Sequence, residues 1–418
     1  MRLLDCNDAS LRVWNGDEAL WSPGIVWFNE GQYQFGEPAW LQARRAPREI
    51  NNRYWHRLST QALSPALGPA RHTADLVHAH LEALLEDSRD DLALVIPGAM
   101  ESGQLSLLLG ILQTLPVNAK SVVHRSALAG AAVGQSCVHV ELQLHQASIT
   151  VVTVENQIAQ AGDTQLLPGH GLLGLMDEIA ERIGEQFVTQ TRFDPQRRAE
   201  TEQMLYQQIP ELLRSLATQS EISCTLEGHT ARIGADALRP VGAAFTRALS
   251  PLLPEASTHI ALDTLLSALP GLEFPHDCTT IGPEIVPAIA RTMAVPEGAL
   301  HFQREAPCGT TAAVERVDTG NTEPAMSVEP ASDALVEAGS GQSQQPATHQ
   351  LVAGRATPLS MGTGIVGGAV VSGPSELSIG PDASVQLNGQ PAKGVIALCA
   401  GDRLNAAGVE VLFIAVDP

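Results

Sequence analysis

Positive charge is scarce in this chain: 25 Lys and Arg stand against 46 Asp and Glu, a formal net charge of −21 over 418 residues. That balance argues against a broad nucleic-acid or anionic-membrane footprint. The six cysteines (Cys6, Cys137, Cys224, Cys278, Cys308, Cys399) are scattered without C-x-x-C spacing. They read as reduced thiols rather than as a metal ribbon or a disulfide framework. No apolar run reaches membrane length, and no basic segment followed by an apolar core opens the chain, so a cytoplasmic location is expected. No G-x-S-x-G, Walker A, H-E-x-x-H or G-x-G-x-x-G motif occurs in a supporting context. His276-Asp277-Cys278 places a thiol beside a possible base, but adjacent residues rarely present side chains on one face, and a loop is expected there. No repeat of fixed period is visible.

What is present is a globular composition, 44% hydrophobic, long enough for two or three domains. Arg2 to Cys6 is an apolar strand carrying an acid, Leu11 to Trp14 returns, and Asn15-Gly16 marks a hairpin. Gly24 to Phe28 adds a strand, Pro38 to Arg45 a polar helix-like run, and His72 to Glu86 a helix with Leu76, Val77, His80, Leu81, Leu84 and Leu85 along one side. Leu92 to Ile96 is a continuous apolar run, as in a strand covered on both faces. An amphipathic helix bearing Leu105, Leu108, Leu109 and Leu112 follows, then a short strand and the small-residue helix up to Gly134. This is a crossover unit of an α/β sheet. Cys137 to His145 alternates, with Val138, Val140, Leu142 and Leu144 on one side and His139, Glu141, Gln143 and His145 on the other. Ser148 to Val154 is a strand and Gly162-Asp163 a turn. Gly171 to Thr189 is a long helix, and Pro195 to Ala217 another, with Asp194 as its N-cap. A hairpin around Glu227-Gly228, a helix from Asp236 to Leu249, a strand from Thr258 to Leu262 and a helix from Pro283 to Thr292 complete residues 1–302. Residues 303–348 are rich in Glu, Ala, Thr, Gly, Ser and Gln and read as a flexible acidic linker. Residues 349–418 read as a small all-β domain.

In this order the elements resemble the actin-like ATPase superfamily, most closely the nucleotide-binding domain of DnaK-type chaperones. Leu4-Asp5 with its hairpin resembles the family's first phosphate loop. Ser22 to Pro47 is similar to its "PS-x-V-x-F … G-x-x-A … A" segment, Val95-Ile96-Pro97 with Gln104 to "VPA … Q", and Arg125 to Gly134 to its "EPTAAALxYG" helix. The resemblance implies two α/β lobes flanking a nucleotide cleft. The catalytic parts depart from it. Phosphate loops use glycine so that backbone N–H groups approach the anion closely. Here Asn7-Asp8-Ala9 replaces a Gly-Thr-Thr turn, and Glu141 to Gln146 holds no glycine. Arg125-Ser126 replaces an acid and a proline, and Asp263 to Gly271 lacks the adenosine-side glycine pair. A DnaK-type substrate-binding domain is absent from the pattern after Thr292.

The expectation is therefore an α/β, two-lobed actin- and DnaK-like fold over residues 1–302 that acts as a pseudo-ATPase scaffold rather than an enzyme. Asp5, Asn7 and Glu141 form its vestigial phosphate and Mg²⁺ site. Asp5 is alternatively a structural acid capping the first hairpin, and Glu141 a plain residue of a polar face. Arg125 either clamps an anion or makes a salt bridge, interlobe or at the surface. His139 and His145 lie roughly 20 Å apart along a strand, too far for one metal ion. No cofactor is expected; the alternative, a working divergent ATPase, takes Mg-ATP. The terminal domain is similar to a forkhead-associated β-sandwich, through Ser384 to Gly389, Leu398 and Gly401-Asp402-Arg403-Leu404. That implies Arg355 and Asn388 as phosphopeptide ligands, or else a degenerate module that binds a protein partner. A further alternative is the cytosolic actin-like platform of a membrane-associated assembly. Nucleic acid and direct membrane insertion are not expected.

Overall fold

A computed structural model describes residues 1–86, 90–254, 259–293, 300–308, 316–317, 349–352, 355–359, 369–373, 376–380, 385–387, 390–398, 402–406 and 409–414. The chain divides into two compact units, Met1–Thr322 and Glu323–Pro418. Both sheets and helices build the first, an α/β unit; every regular segment described in the second is a strand.

The first unit is organised on two sheets. In one, the order is Phe302–Gln303, Asn118–His124, Asp91–Ile96, Arg2–Asp5, Arg12–Asn15, Glu18–Trp21. Arg2–Asp5 runs antiparallel to Arg12–Asn15 and parallel to Asp91–Ile96, which is parallel to Asn118–His124. In the other, the order is Glu305–Pro307, Ile158–Pro168, Gln146–Glu155, Cys137–Leu142, His259–Asp263, Asp277–Ile281, Arg316–Val317. There Cys137–Leu142 runs antiparallel to Gln146–Glu155 and parallel to His259–Asp263, itself parallel to Asp277–Ile281. Each sheet is thus a three-strand meander followed by two parallel strands, in the same order. A repeat invisible in the sequence exists in the topology.

Leu92, Leu94, Val95 and Ile96 are buried on both faces of the first sheet, as the unbroken apolar run requires. Helices Thr73–Leu85 and Ser102–Leu112 cover one face. The short helix Arg125–Val133 leaves the end of Asn118–His124 and lies between the two sheets. Its Ala127, Ala129 and Ala131 share a core with Leu3, Val95 and Val123 of the first sheet and Val152, Ala159 and Ala261 of the second. Small side chains at these positions let both sheets approach it. Helices Leu172–Thr191, Ala199–Leu216 and Ala235–Leu249 cover the far face of the second sheet.

Several expectations change. Gly162-Asp163 is not a turn but lies inside the strand Ile158–Pro168; the reversal falls at Asn156 and Gln157, both at positive φ. Asp194 does accept a hydrogen bond from the Gln196 amide, but it caps the 3-10 turn Pro195–Arg197, and the α-helix begins only at Ala199 after the extended Arg198. Asp277-Cys278 is strand rather than loop. The strands Phe302–Gln303, Glu305–Pro307 and Arg316–Val317 fall within or beside the stretch expected to be linker, yet they close the edges of the two sheets.

In the second unit the sheets run Arg355–Pro358, His349–Val352, Val409–Ile414, Arg403–Ala406, Val385–Leu387, Gln390–Pro391 and Ala369–Gly373, Glu376–Ile379, Gly394–Ala397. Val371, Leu377, Ile379, Val385, Leu398, Leu404 and Val411 form its core. No helix among the described residues is long and apolar enough to cross a membrane.

Candidate functional site

The carboxyl ends of the central strands of both sheets converge on one cleft. Asp5 ends the strand RLLD, Asp263 ends HIALD, and Glu141 sits one residue before the end of Cys137–Leu142. Arg125, the first residue of the helix between the sheets, reaches all three. Its Nε lies 3.2 Å from Asp5 Oδ2, and its Nη1 lies 3.0 Å from Asp263 Oδ1 and 3.6 Å from Glu141 Oε1. Arg125 and Asp5 are 2% exposed and Glu141 is 0% exposed. A cation at a helix N-terminus opposes the helix dipole; here the three carboxylates offset that.

The backbone of the cleft is tied to the same acids. The Leu144 amide donates to Asp8 Oδ1 at 2.9 Å and the Leu142 amide to Asp263 Oδ2 at 2.9 Å. The Gly98 amide donates to Glu141 Oε2 at 3.2 Å. Within the first loop, Ala9 N donates to Asn7 Oδ1 and Asn7 N to Asp5 Oδ1. Asn7 Nδ2 crosses to the second sheet, donating to Glu141 Oε1 at 2.9 Å and to the Leu142 carbonyl at 3.1 Å. The loop after Asp5 and the loop after Glu141 therefore bond to each other directly.

Burial raises Asp5 above the ordinary carboxylate range, with Arg125 pulling it back. Burial pushes Glu141 up to about 7 against the pull of Arg125, and pushes Asp8 up to about 6. Burial alone would lower the pKa of Arg125, but Asp263, Asp5 and Glu141 together raise it, so the guanidinium is always charged. His139, on the same strand face as Glu141, is 0% exposed and donates to or accepts from Ser126 Oγ at 2.9 Å. Burial drops its pKa to about 3, and its Nε2 has no hydrogen-bond partner among the described residues.

The structure brings Asp5, Asn7 and Glu141 together. Glu141 is not a plain polar-face residue: its side of the strand is as buried as the apolar side, because it faces the cleft. Asp5 does not simply cap a hairpin, since its second oxygen belongs to Arg125. Arg125 makes the salt bridge that joins the two sheets. Sequence reasoning missed Asp263 and the bonding role of Asp8. The available signal was an apolar strand ending in an acid, which occurs at both Asp5 and Asp263. Gln104 forms a capping box with Glu101 and donates from Nε2 to the His56 carbonyl at 3.1 Å. Arg355 begins a strand; its side chain, and Asn388 entirely, lie outside the described residues.

Beside the ion cluster is a cavity of about 360 Å³, lined by Ser10, Arg12, Trp21, Trp40, Arg125 and Asp263 among others. No family model matches the chain, and no curated protein matches it.

Proposed function

We propose that this chain is a pseudo-ATPase: an actin- and DnaK-like two-lobed fold kept as a cytoplasmic scaffold, whose C-terminal β unit, similar to a forkhead-associated sandwich, binds a protein partner. Support for the fold is the strand order common to both sheets, with acids from both sheets meeting at their strand ends. Support for the loss of catalysis is that the cleft is bonded to itself. The amides of Asn7, Ala9, Gly98, Leu142 and Leu144, which would have to face a phosphate, already donate to the chain's own Asp, Asn and Glu side chains. Arg125 lies among the three carboxylates that would have to serve a metal ion. These residues do not fit Mg-ATP. The amides of Asn7, Gly98, Leu142 and Leu144 would each have to exchange a bond to an Asp or Glu side chain for one to phosphate, with those acids left beside an anion.

A thermal-shift titration with Mg-ATP tests this. In the variant Arg53→Ala/Arg57→Ala, which removes two guanidiniums outside this cleft, no change in melting temperature is expected, whereas saturating a true site at a hundred times its Kd would add about 2.7 kcal/mol of stability. A saturable rise would overturn the proposal. The second reading, a divergent ATP-binding protein, draws on the adjoining 360 Å³ cavity, where Trp21 and Trp40 would stack a base near Arg12. The same titration decides between the two.

A further inference from the structure

A larger cavity, about 680 Å³, opens elsewhere between the two halves of the first unit. That volume is within the range of small-molecule sites. Its polar lining is basic, in a chain whose net charge is −21. Arg53, His56 and Arg57 face it from the first half, and His145 from the loop that follows Glu141. Arg44 lines it too, but is held by Asp177, by Glu202 at 3.7 Å and over the Tyr206 ring. Asp177, the one acidic group lining the cavity among the described residues, is already neutralised by that arginine.

Arg53 and Arg57 are different. The Arg57 amide donates to the Arg53 carbonyl at 2.8 Å, a helical turn that places the two side chains on one side. Both are exposed, and neither guanidinium has a hydrogen-bond or ion-pair partner among the described residues. Two like charges at this spacing repel one another. The turn does not relax because its inner face is anchored: Tyr54 Oη lies 2.7 Å from His80 Nδ1, and Trp55 Nε1 donates to the same nitrogen at 3.0 Å. Across the cavity, His145 Nε2 donates to the Asn52 carbonyl at 2.8 Å, fixing the ring 5.5 Å from His56. The positive field shows in both imidazoles. Burial, then Arg53 and Arg57, lower His56; burial is also the main cause that takes His145 down to about 4. Leu144, Leu173 and Ile50 supply apolar wall.

We propose that this cavity binds a small organic phosphate, its phosphoryl oxygens taken by Arg53 and Arg57 and its body lying on the apolar wall. Paired free guanidiniums on a rigid turn suit a multiply charged tetrahedral oxyanion, which accepts two-pronged donors from both. A ligand there touches both halves and holds them together. The inference does not rest on the pseudo-ATPase reading, because the charged groups it invokes, Arg53, Arg57, His56 and His145, lie outside the Arg125 cluster.

Calorimetric titration of the whole chain with inorganic pyrophosphate, without added metal, tests it. Saturable binding is expected, weakened about tenfold or more in Arg53→Ala/Arg57→Ala and unchanged in Arg12→Ala, which alters the other cavity. In parallel, the imidazole proton resonances of His56 and His145 move on titration in the parent protein. Absence of saturable binding overturns the proposal. So does binding that survives the double substitution, or binding that Arg12→Ala removes. If the double variant does not fold, the histidine resonances decide: no movement overturns the site.

Discussion

Arg125 shows how much one side chain can hold when it is buried among opposite charges. Burying an ion pair gains little over apolar packing, but removing one partner leaves an uncompensated charge that cannot reach water. Arg125 has Asp5 and Asp263 within hydrogen-bond distance and Glu141 just beyond. Arg125→Ala should therefore cost about 3–5 kcal/mol of stability. The loss should be smaller near pH 6 than near pH 8. Without the guanidinium Asp5 and Glu141 keep their protons to higher pH, and a carboxyl whose pKa is raised by folding stabilises only while it stays protonated. Urea denaturation at the two pH values measures this. An equal loss at both would mean that the acids do not depend on Arg125. His80 shows the opposite use of a titratable group. The indole N–H of Trp55 can only donate, so His80 Nδ1 accepts and Nε2–H donates to Ser22 Oγ at 2.8 Å. Burial drops it to about 3, and it acts as a neutral knot in an aromatic core.

At the scale of elements, glycine and alanine placement decides which helices sit close to a sheet. In Arg125–Val133, a Cβ on Gly130 would run into Val152 of the neighbouring strand. In Ser102–Leu112, Gly110 is exposed with nothing near its missing Cβ. Gly130→Val should destabilise by about 1–3 kcal/mol through overpacking. Gly110→Ala should stabilise by about 0.5–1 kcal/mol by removing backbone freedom from the unfolded chain. Thermal melts run side by side check both signs; a neutral Gly130→Val would contradict the close approach of this helix. The strand Cys137–Leu142 carries a related lesson. Its alternation is real, but both of its faces are buried, one against helices and one against the ion cluster.

Across the whole molecule, buried titratable groups set the response to pH. Burial lowers His80 and His139 to about 3 and His124 and His145 to about 4. Their folded values lie below the unfolded one, so the unfolded chain binds more protons and stability rises with pH up to about 6.5. Asp5, Asp8 and Glu141 oppose this, since their folded values are raised and their contribution fades as pH rises toward about 6 for Asp8 and about 7 for Glu141. Below the ordinary carboxyl range those acids are protonated in both states, and of the groups named here the histidines alone differ. Stability should therefore fall most steeply on acidification below about pH 4.5, peak near about pH 6.5, and decline shallowly through about pH 7 as Glu141 ionises. Chemical denaturation across this range measures the profile. A monotonic rise through pH 7.5 would show that Glu141 is not held protonated.

The sequence by itself determined the elements whose signals are local. The apolar run Leu92–Ile96 had to be a two-sided strand, the i, i+3, i+4 leucines had to make helices, and Glu227-Gly228 had to reverse a hairpin, because each pattern acts within a few residues. The tertiary structure alone decided which charges meet. Arg125 is 120 positions from Asp5 and 138 from Asp263, and nothing near any of them announces the others. Their contact follows from two sheets of the same topology aiming their strand ends at one point. Gly162-Asp163 failed as a turn for the same reason: locally it favours reversal, but the pair is absorbed as an irregularity opposite Val151, between the pairs Thr150–Thr164 and Val152–Ala161 of a ladder that continues on both sides. Pairing along a whole strand outweighs the preference of two residues.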